Sequence, residues 1–231
     1  MHRNQSRLLL FDIDGTLLST HGIPRQAMST VLRRRYPDFN YDSGYNFSGR
    51  TDWEIVEHLL TFDDRPAGEN QIHAILRDFA VELEYVLQNG RLPLVFPGVK
   101  SLLDKLNRME DVYLGLVTGN IEKGARIKLN KADLADFFYV GGYGDDSKNR
   151  DDLPPLAISR AELFYHCSFE KKNVWIIGDS LFDIRCARNN EIHVLAVSTG
   201  WTGYEELSAA SPDHVVRDFT QVDEIVGILT E

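Results

Sequence analysis

LLLFDIDGTLL, residues 8–18, sets an apolar run against two aspartates, Asp12 and Asp14, and then Gly15. An uninterrupted apolar run of this length suits a strand covered on both faces, as in a parallel sheet. Two residues apart on an extended chain, the two carboxylates point to one side of the strand's end, and Gly15 permits a sharp turn after them. Alone, a D-x-D-G tetrad is a common turn pattern. Its place at the end of a buried strand, followed by Thr16 and two leucines, makes it a candidate for chemistry.

Comparable runs recur down the chain: VYLGLVTGN (112–120), FFYVGGYGDD (137–146), VWIIGDS (174–180), VLAVSTG (194–200) and HVV (214–216). Helical patterns lie between them. Residues 98–108 put Val99, Leu102, Leu103 and Leu106 on one face, and residues 155–165 do the same with Leu156, Ile158, Ala161, Leu163 and Phe164. Strands alternating with helices predict an α/β, doubly wound (Rossmann-like) parallel sheet, with ligands at the carboxyl ends of its strands. All but the last run end in Gly, Asp, Ser or Asn, so polar chemistry gathers at that edge.

One interval breaks the rhythm. Residues 19–91 hold no good strand, while QIHAILRDFAVELEYVLQ (71–88) repeats Ile72, Ile75, Leu76, Phe79, Leu83 and Leu87 at helical spacing. The expected organisation is an α/β core of residues 1–18 and 92–231, with a small helical cap of residues 19–91 inserted after the first strand. GRLPLVFPG (90–98), rich in proline and glycine, reads as the return linker.

Composition narrows the function. The 231 residues are 43% hydrophobic and 26% charged, an ordinary globular balance, and the formal net charge is −10. Without a basic surplus, nucleic acid and anionic membranes are not expected partners. Arg33, Arg34 and Arg35 read as a solvated helix face. Two cysteines, Cys167 and Cys186, are too few for a disulfide framework or a zinc site and read as reduced thiols. The first apolar run lacks a signal-peptide pattern, and no segment reaches the ~20 apolar residues that span a bilayer. The expected location is the cytoplasm.

A second acidic pair, Asp179 and Asp183, sits in VWIIGDSLFDI at a strand end and four residues on, so both face one side of a starting helix. Asp179 or Ser180 could cap that helix, and capping explains one acid but not four converging on one edge. Four carboxylates meeting at one edge would repel, and the usual remedy is a hard divalent cation. Magnesium takes one or two carboxylates and phosphate oxygens, and no histidine or cysteine accompanies these acids to suggest zinc. In LGLVTGN, the Thr118 hydroxyl and the N–H groups after it can bind an anion at a helix start. Lys148 and Arg150, in the loop before a helix opening at Pro154 or Pro155, could each balance a phosphoryl group.

Taken together, FDIDGTLL (11–18), LVTGN (116–120), the basic residue before PPLAI (154–158) and IGDSLFDI (177–184) resemble the four motifs of the haloacid dehalogenase superfamily, in that family's order and across essentially the whole chain. The helical insert resembles a C1-type cap. GRTD (49–52), STGWTGYEEL and PDHVV resemble the phosphoglycolate-phosphatase-like branch. The resemblance implies Asp12 as nucleophile and Asp14 as general acid/base. It implies a magnesium ion held by Asp12, the Asp14 backbone carbonyl and Asp179, with Asp183 in support. Thr118, Gly119 and Asn120 would bind the phosphoryl oxygens. The family most often places a lysine at its basic position; aligning PPL (154–156) puts Arg150 there, with Lys148 the other candidate. Arginine keeps a charge and a bidentate fork but not the compact ammonium.

Dehalogenases proper lack the second aspartate, which Asp14 supplies here, and phosphonatases use a cap lysine, whereas no lysine lies between Met1 and Val99. The expected activity is therefore Mg²⁺-dependent hydrolysis of a small phosphorylated metabolite through an aspartyl-phosphate, with Arg50 a candidate cap contact. Thr16 after D-x-D-G favours hydrolysis in the family pattern. The alternatives are a phosphotransferase or phosphomutase of the same fold, and a binding protein without turnover.

Overall fold

The computed structural model describes residues 6–230, and the apolar runs of the sequence become strands in chain order. The chain opens with β1 (Arg7–Phe11) and the two-residue β2 (Leu18–Ser19). Three helices follow, α1 (Ile23–Arg35), α2 (Asp52–Phe62) and α3 (Glu69–Asn89), and then β3 (Leu94–Val95) and α4 (Val99–Leu106). Strand and helix then alternate: β4 (Val112–Val117), α5 (Glu122–Lys131), β5 (Gly141–Gly142), α6 (Leu153–Tyr165), β6 (Val174–Gly178) and α7 (Leu181–Asn189). The chain ends with β7 (His193–Val197), α8 (Tyr204–Ala209), β8 (His214–Val216) and α9 (Val222–Thr230).

Six strands form one parallel sheet in the order β5-β4-β1-β6-β7-β8. β1 lies between β4 and β6, pairing Leu10 with Gly115 on one side and Ile176 on the other. Alternation along its strands fills both faces. Leu9, Phe11, Leu116, Ile177 and Leu195 pack on α4, α5 and α9, while Leu8, Leu10, Ile176, Val194 and Ala196 pack on α6 and α7. The expected doubly wound α/β sheet is what forms, although the run at 137–146 shrinks to the two-residue strand β5.

Helices α1–α3 build a separate apolar cluster from Met28, Leu32, Val56, Leu59, Ile75, Phe79 and Leu83. The two crossings between this helical unit and the sheet pair as an antiparallel ribbon, Leu18 with Val95 and Ser19 with Leu94. A ribbon that short is a hinge-sized connection, so the helical unit sits on the sheet edge mainly through its own surface. Ile121, just before α5, inserts into its apolar cluster. Among the described residues no helix is long and apolar enough to cross a membrane.

Candidate active site

Asp12 follows β1 directly, and its backbone N–H donates to the carbonyl of Ile177 at 2.9 Å, which fixes it between the two central strands. The strand ends at Phe11, and the Asp14 charge is near enough to add to the influences that raise the Asp12 carboxyl. Gly15 makes the turn at φ +88°, and a Cβ there would lie 2.4 Å from Asp179 Oδ2. Only glycine lets this turn pass so close to that carboxylate.

Asp12, Asp179 and Asp183 converge, with one carboxylate oxygen of each within 4.8 Å of the others. All three are buried. Asp179 stands just past β6, where Thr16 donates to its Oδ1 at 3.1 Å. Asp183 forms a capping box with Ser180 at the start of α7, accepting from the Ser180 N–H at 3.0 Å and its hydroxyl at 2.6 Å. Its other oxygen accepts from Arg150 at 2.5 Å. With both oxygens engaged by the protein, Asp183 braces the cluster, while Asp12 and Asp179 keep ligand capacity.

Arg150, buried beneath the site, also stands 3.4 Å from Asp12. Lys148, by contrast, is exposed and pairs with Glu57 at 3.4 Å. The geometry thus separates the two candidate cations in favour of Arg150. Burial pushes the Asp12 carboxyl up to about 6, with Arg150 pulling against it. Burial, aided by the Asp12 and Asp183 charges, holds Asp179 well above the usual carboxylate range. Burial disfavours the Arg150 charge, yet Asp183 and Asp12 more than offset it. Three buried carboxylates against one cation leave an excess of negative charge in a set of hard oxygen donors. That donor set fits a hard divalent cation. The Nε–H of Arg150 has no partner among the described residues, an unspent buried donor beside an acidic site.

Asp14 belongs to a second group. Its Oδ2 accepts from Asn120 Nδ2 at 2.8 Å and Lys128 Nζ at 2.5 Å, and its Oδ1 accepts from Thr20 Oγ1 at 3.1 Å. Thr118, buried past the end of β4, accepts from Asn120 Nδ2 at 2.7 Å and from the Asn120 N–H at 3.4 Å. With its lone pairs so used, the Thr118 hydroxyl proton is left to donate to an anion. Gly119 lies against the helical unit, its carbonyl accepting from the Asp52 N–H at 2.7 Å. Arg50 pairs with Glu54 and stacks over Tyr45 and Phe182. Its guanidinium is thus already committed, in a groove of about 520 Å³ lined also by Glu57 and His58.

Sequence reasoning missed Lys128, Thr20 and Asp52, and it singled out Thr16 without the Asp179 partner that the fold gives it. A signal for Lys128 existed: Gly124, Ala125, Lys128 and Leu129 trace the buried face of α5, and a lysine on that face is out of pattern. Thr20 carries no such mark. Both cysteines are free, and burial pushes the Cys186 thiol up to about 12, consistent with an inert group.

Comparison with known proteins follows the same lines. The phosphoglycolate phosphatase of Vibrio vulnificus (strain YJ016) is 26% identical over 238 residues, covering 98% of each chain. Pyrophosphatase PpaX of Listeria monocytogenes serotype 4a (strain HCC23) is 26% identical over 220 residues, covering 94% of this chain and 95% of the relative. Among solved structures, the fold matches CbbY from Rhodobacter sphaeroides in complex with phosphate, with a TM-score of 0.73 at 17% identity over 94% and 96% of the two chains. It also matches a β-phosphoglucomutase from Clostridium difficile, with a TM-score of 0.74 at 18% identity over 97% of each. A family model described as haloacid dehalogenase-like hydrolase spans residues 9–197, from β1 through β7 and both carboxylate groups, so the chain belongs to the haloacid dehalogenase-like hydrolase family.

Proposed function

We propose that this hydrolase is a Mg²⁺-dependent phosphatase of small phosphorylated metabolites, working through a phosphorylated Asp12. The observation that carries the reading is the division of the D-x-D pair: Asp12 lies with Asp179 and Arg150, while Asp14 lies under Asn120 and Lys128. One acid is thereby set up for attack and the other for proton transfer. Residues 19–91 act as the cap over the site, and residues 1–18 and 92–231 as the catalytic core. Relatives named as phosphoglycolate phosphatase and pyrophosphatase support a small, anionic phosphate substrate.

Asp12, Asp179 and the Asp14 backbone carbonyl would hold the ion, with Asp183 behind them. When bound, it neutralises the excess carboxylate charge and draws charge from the phosphoryl oxygens. An Asp12 oxygen attacks phosphorus in line, and the bond to the leaving oxygen breaks as Asp14 gives that oxygen its proton. Water then attacks the aspartyl-phosphate, Asp14 takes the water's proton, and orthophosphate leaves with Asp12 regenerated. Thr118 and Arg150 donate to the equatorial oxygens throughout.

Phosphate release from p-nitrophenyl phosphate, with and without Mg²⁺, tests the reading. Asp12→Asn should abolish release, and Asp14→Asn should cost about 10²–10⁴-fold on alkyl phosphates. Equal release by wild type and Asp12→Asn would end the assignment. A panel containing phosphoglycolate, pyrophosphate and hexose phosphates then identifies the substrate, and product analysis with acceptor sugars detects transfer in place of hydrolysis.

A further inference from the structure

Lys128 is among the largest fully buried side chains of the molecule, on a helix whose other lysines are exposed or half-buried. Its Nζ donates to Asn120 Oδ1 and Asp14 Oδ2, each at 2.5 Å. An ammonium has three donors and no acceptor, so the amide oxygen of Asn120 must face it. The Asn120 NH₂ is thereby turned toward Asp14 at 2.8 Å and Thr118 at 2.7 Å. With the amide reversed, its oxygen would meet the Asp14 carboxylate, acceptor against acceptor. A buried lysine costs several kcal/mol of desolvation unless it is paired, so a purely structural role would be met more cheaply by leucine or methionine.

We propose that Lys128 is a positioning residue for proton transfer to the leaving group, acting through Asn120 to fix where the Asp14 carboxyl points. This rests on the phosphatase reading, in which Asp14 is the acid. The consequence is a dependence on the leaving group. An alkoxide must be protonated as it departs, whereas p-nitrophenolate departs without a proton. Misplacing Asp14 therefore slows phosphoryl transfer from alkyl phosphates far more than from p-nitrophenyl phosphate.

The test compares kcat/KM for glycerol 3-phosphate, or any alkyl phosphate that wild type turns over, with that for p-nitrophenyl phosphate; kcat/KM reports the steps through the first irreversible transfer. Lys128→Met should lose about 10²-fold on the alkyl phosphate and at least about tenfold less on the aryl one. Lys128→Gln, which keeps a donor in the same place, should recover part of that loss. In an Asp14→Asn background, Lys128→Met should have little further effect on the alkyl phosphate, because the two act on one step. Equal losses on both substrates, or no loss on either, would overturn the positioning role while leaving the phosphatase reading intact. Additive losses with Asp14→Asn would overturn it too. If Lys128→Met does not fold, Lys128→Gln carries the same comparison. Wild type inactive on every phosphate would overturn both.

Discussion

Arg150 is the one cation among the described residues that pairs with the Asp12–Asp179–Asp183 cluster, through Asp183 at 2.5 Å and Asp12 at 3.4 Å. Removing one partner of a buried charge group is costlier than removing the whole group, because an unpaired charge stays behind. In metal-free protein, Arg150→Met should therefore lose about 3–5 kcal/mol of stability by urea denaturation. Added Mg²⁺ should restore part of it by supplying positive charge to the same carboxylates. Arg150→Lys keeps the charge without the fork, so it should fold but lose about 10²-fold in kcat.

At the scale of elements, the helical unit is seated on the sheet through contacts made largely by backbone. Asp52, the first residue of α2, donates its backbone N–H to Gly119 and accepts from the Ile121 N–H at 2.9 Å, while Thr51 donates to the Lys148 carbonyl at 3.0 Å. Backbone meets backbone here: a Cβ on Gly119 would lie 1.9 Å from the Arg50 carbonyl oxygen. Gly119→Ala should therefore wedge the two units apart. Their apolar clusters are largely separate, so both should stay folded, with kcat/KM down about 10²-fold through lost alignment. Small-angle scattering should show an expanded molecule, and trypsin should cut faster after Arg91, just before β3.

For the whole molecule, stability should carry the mark of the site's buried acids. Burial pushes Asp12 and Asp52 up to about 6 from an ordinary 3.8, with Arg150 and Lys128 respectively pulling the other way. The folded state therefore binds these protons more tightly than the unfolded chain, and metal-free stability falls as pH rises from about 4 through about 6. A shift of that size is worth about 2–3 kcal/mol per group. Acids with lowered values, such as Asp213 and Asp218, act in the opposite sense and below that window. Urea midpoints of wild type minus Asp12→Asn across pH 4–7 isolate the Asp12 share. The gain in Tm from Mg²⁺ should grow over the same interval, as the carboxylates that hold it ionise.

The sheet was legible because apolar runs bounded by glycine and acids admit few other folds, and the D-x-D-G and GDSxxD patterns carry their own spacing. Asp12, Asp179 and Asp183 were found from their positions at strand and helix ends. Sequence alone could not say which side chains Asp14 would meet; its carboxylate accepts from Asn120 and Lys128. Nor could it choose firmly between Arg150 and Lys148, since both sit in one loop and what separates them is burial, which only the fold sets. Local order along the chain thus determined the strands, the helices and the acids at their ends. The partners of those acids were decided by tertiary structure: Thr16 with Asp179, Lys128 with Asp14 and Arg150 with Asp183. Each joins segments far apart in sequence, and a charge's partner depends on burial and distance, which only the folded chain sets.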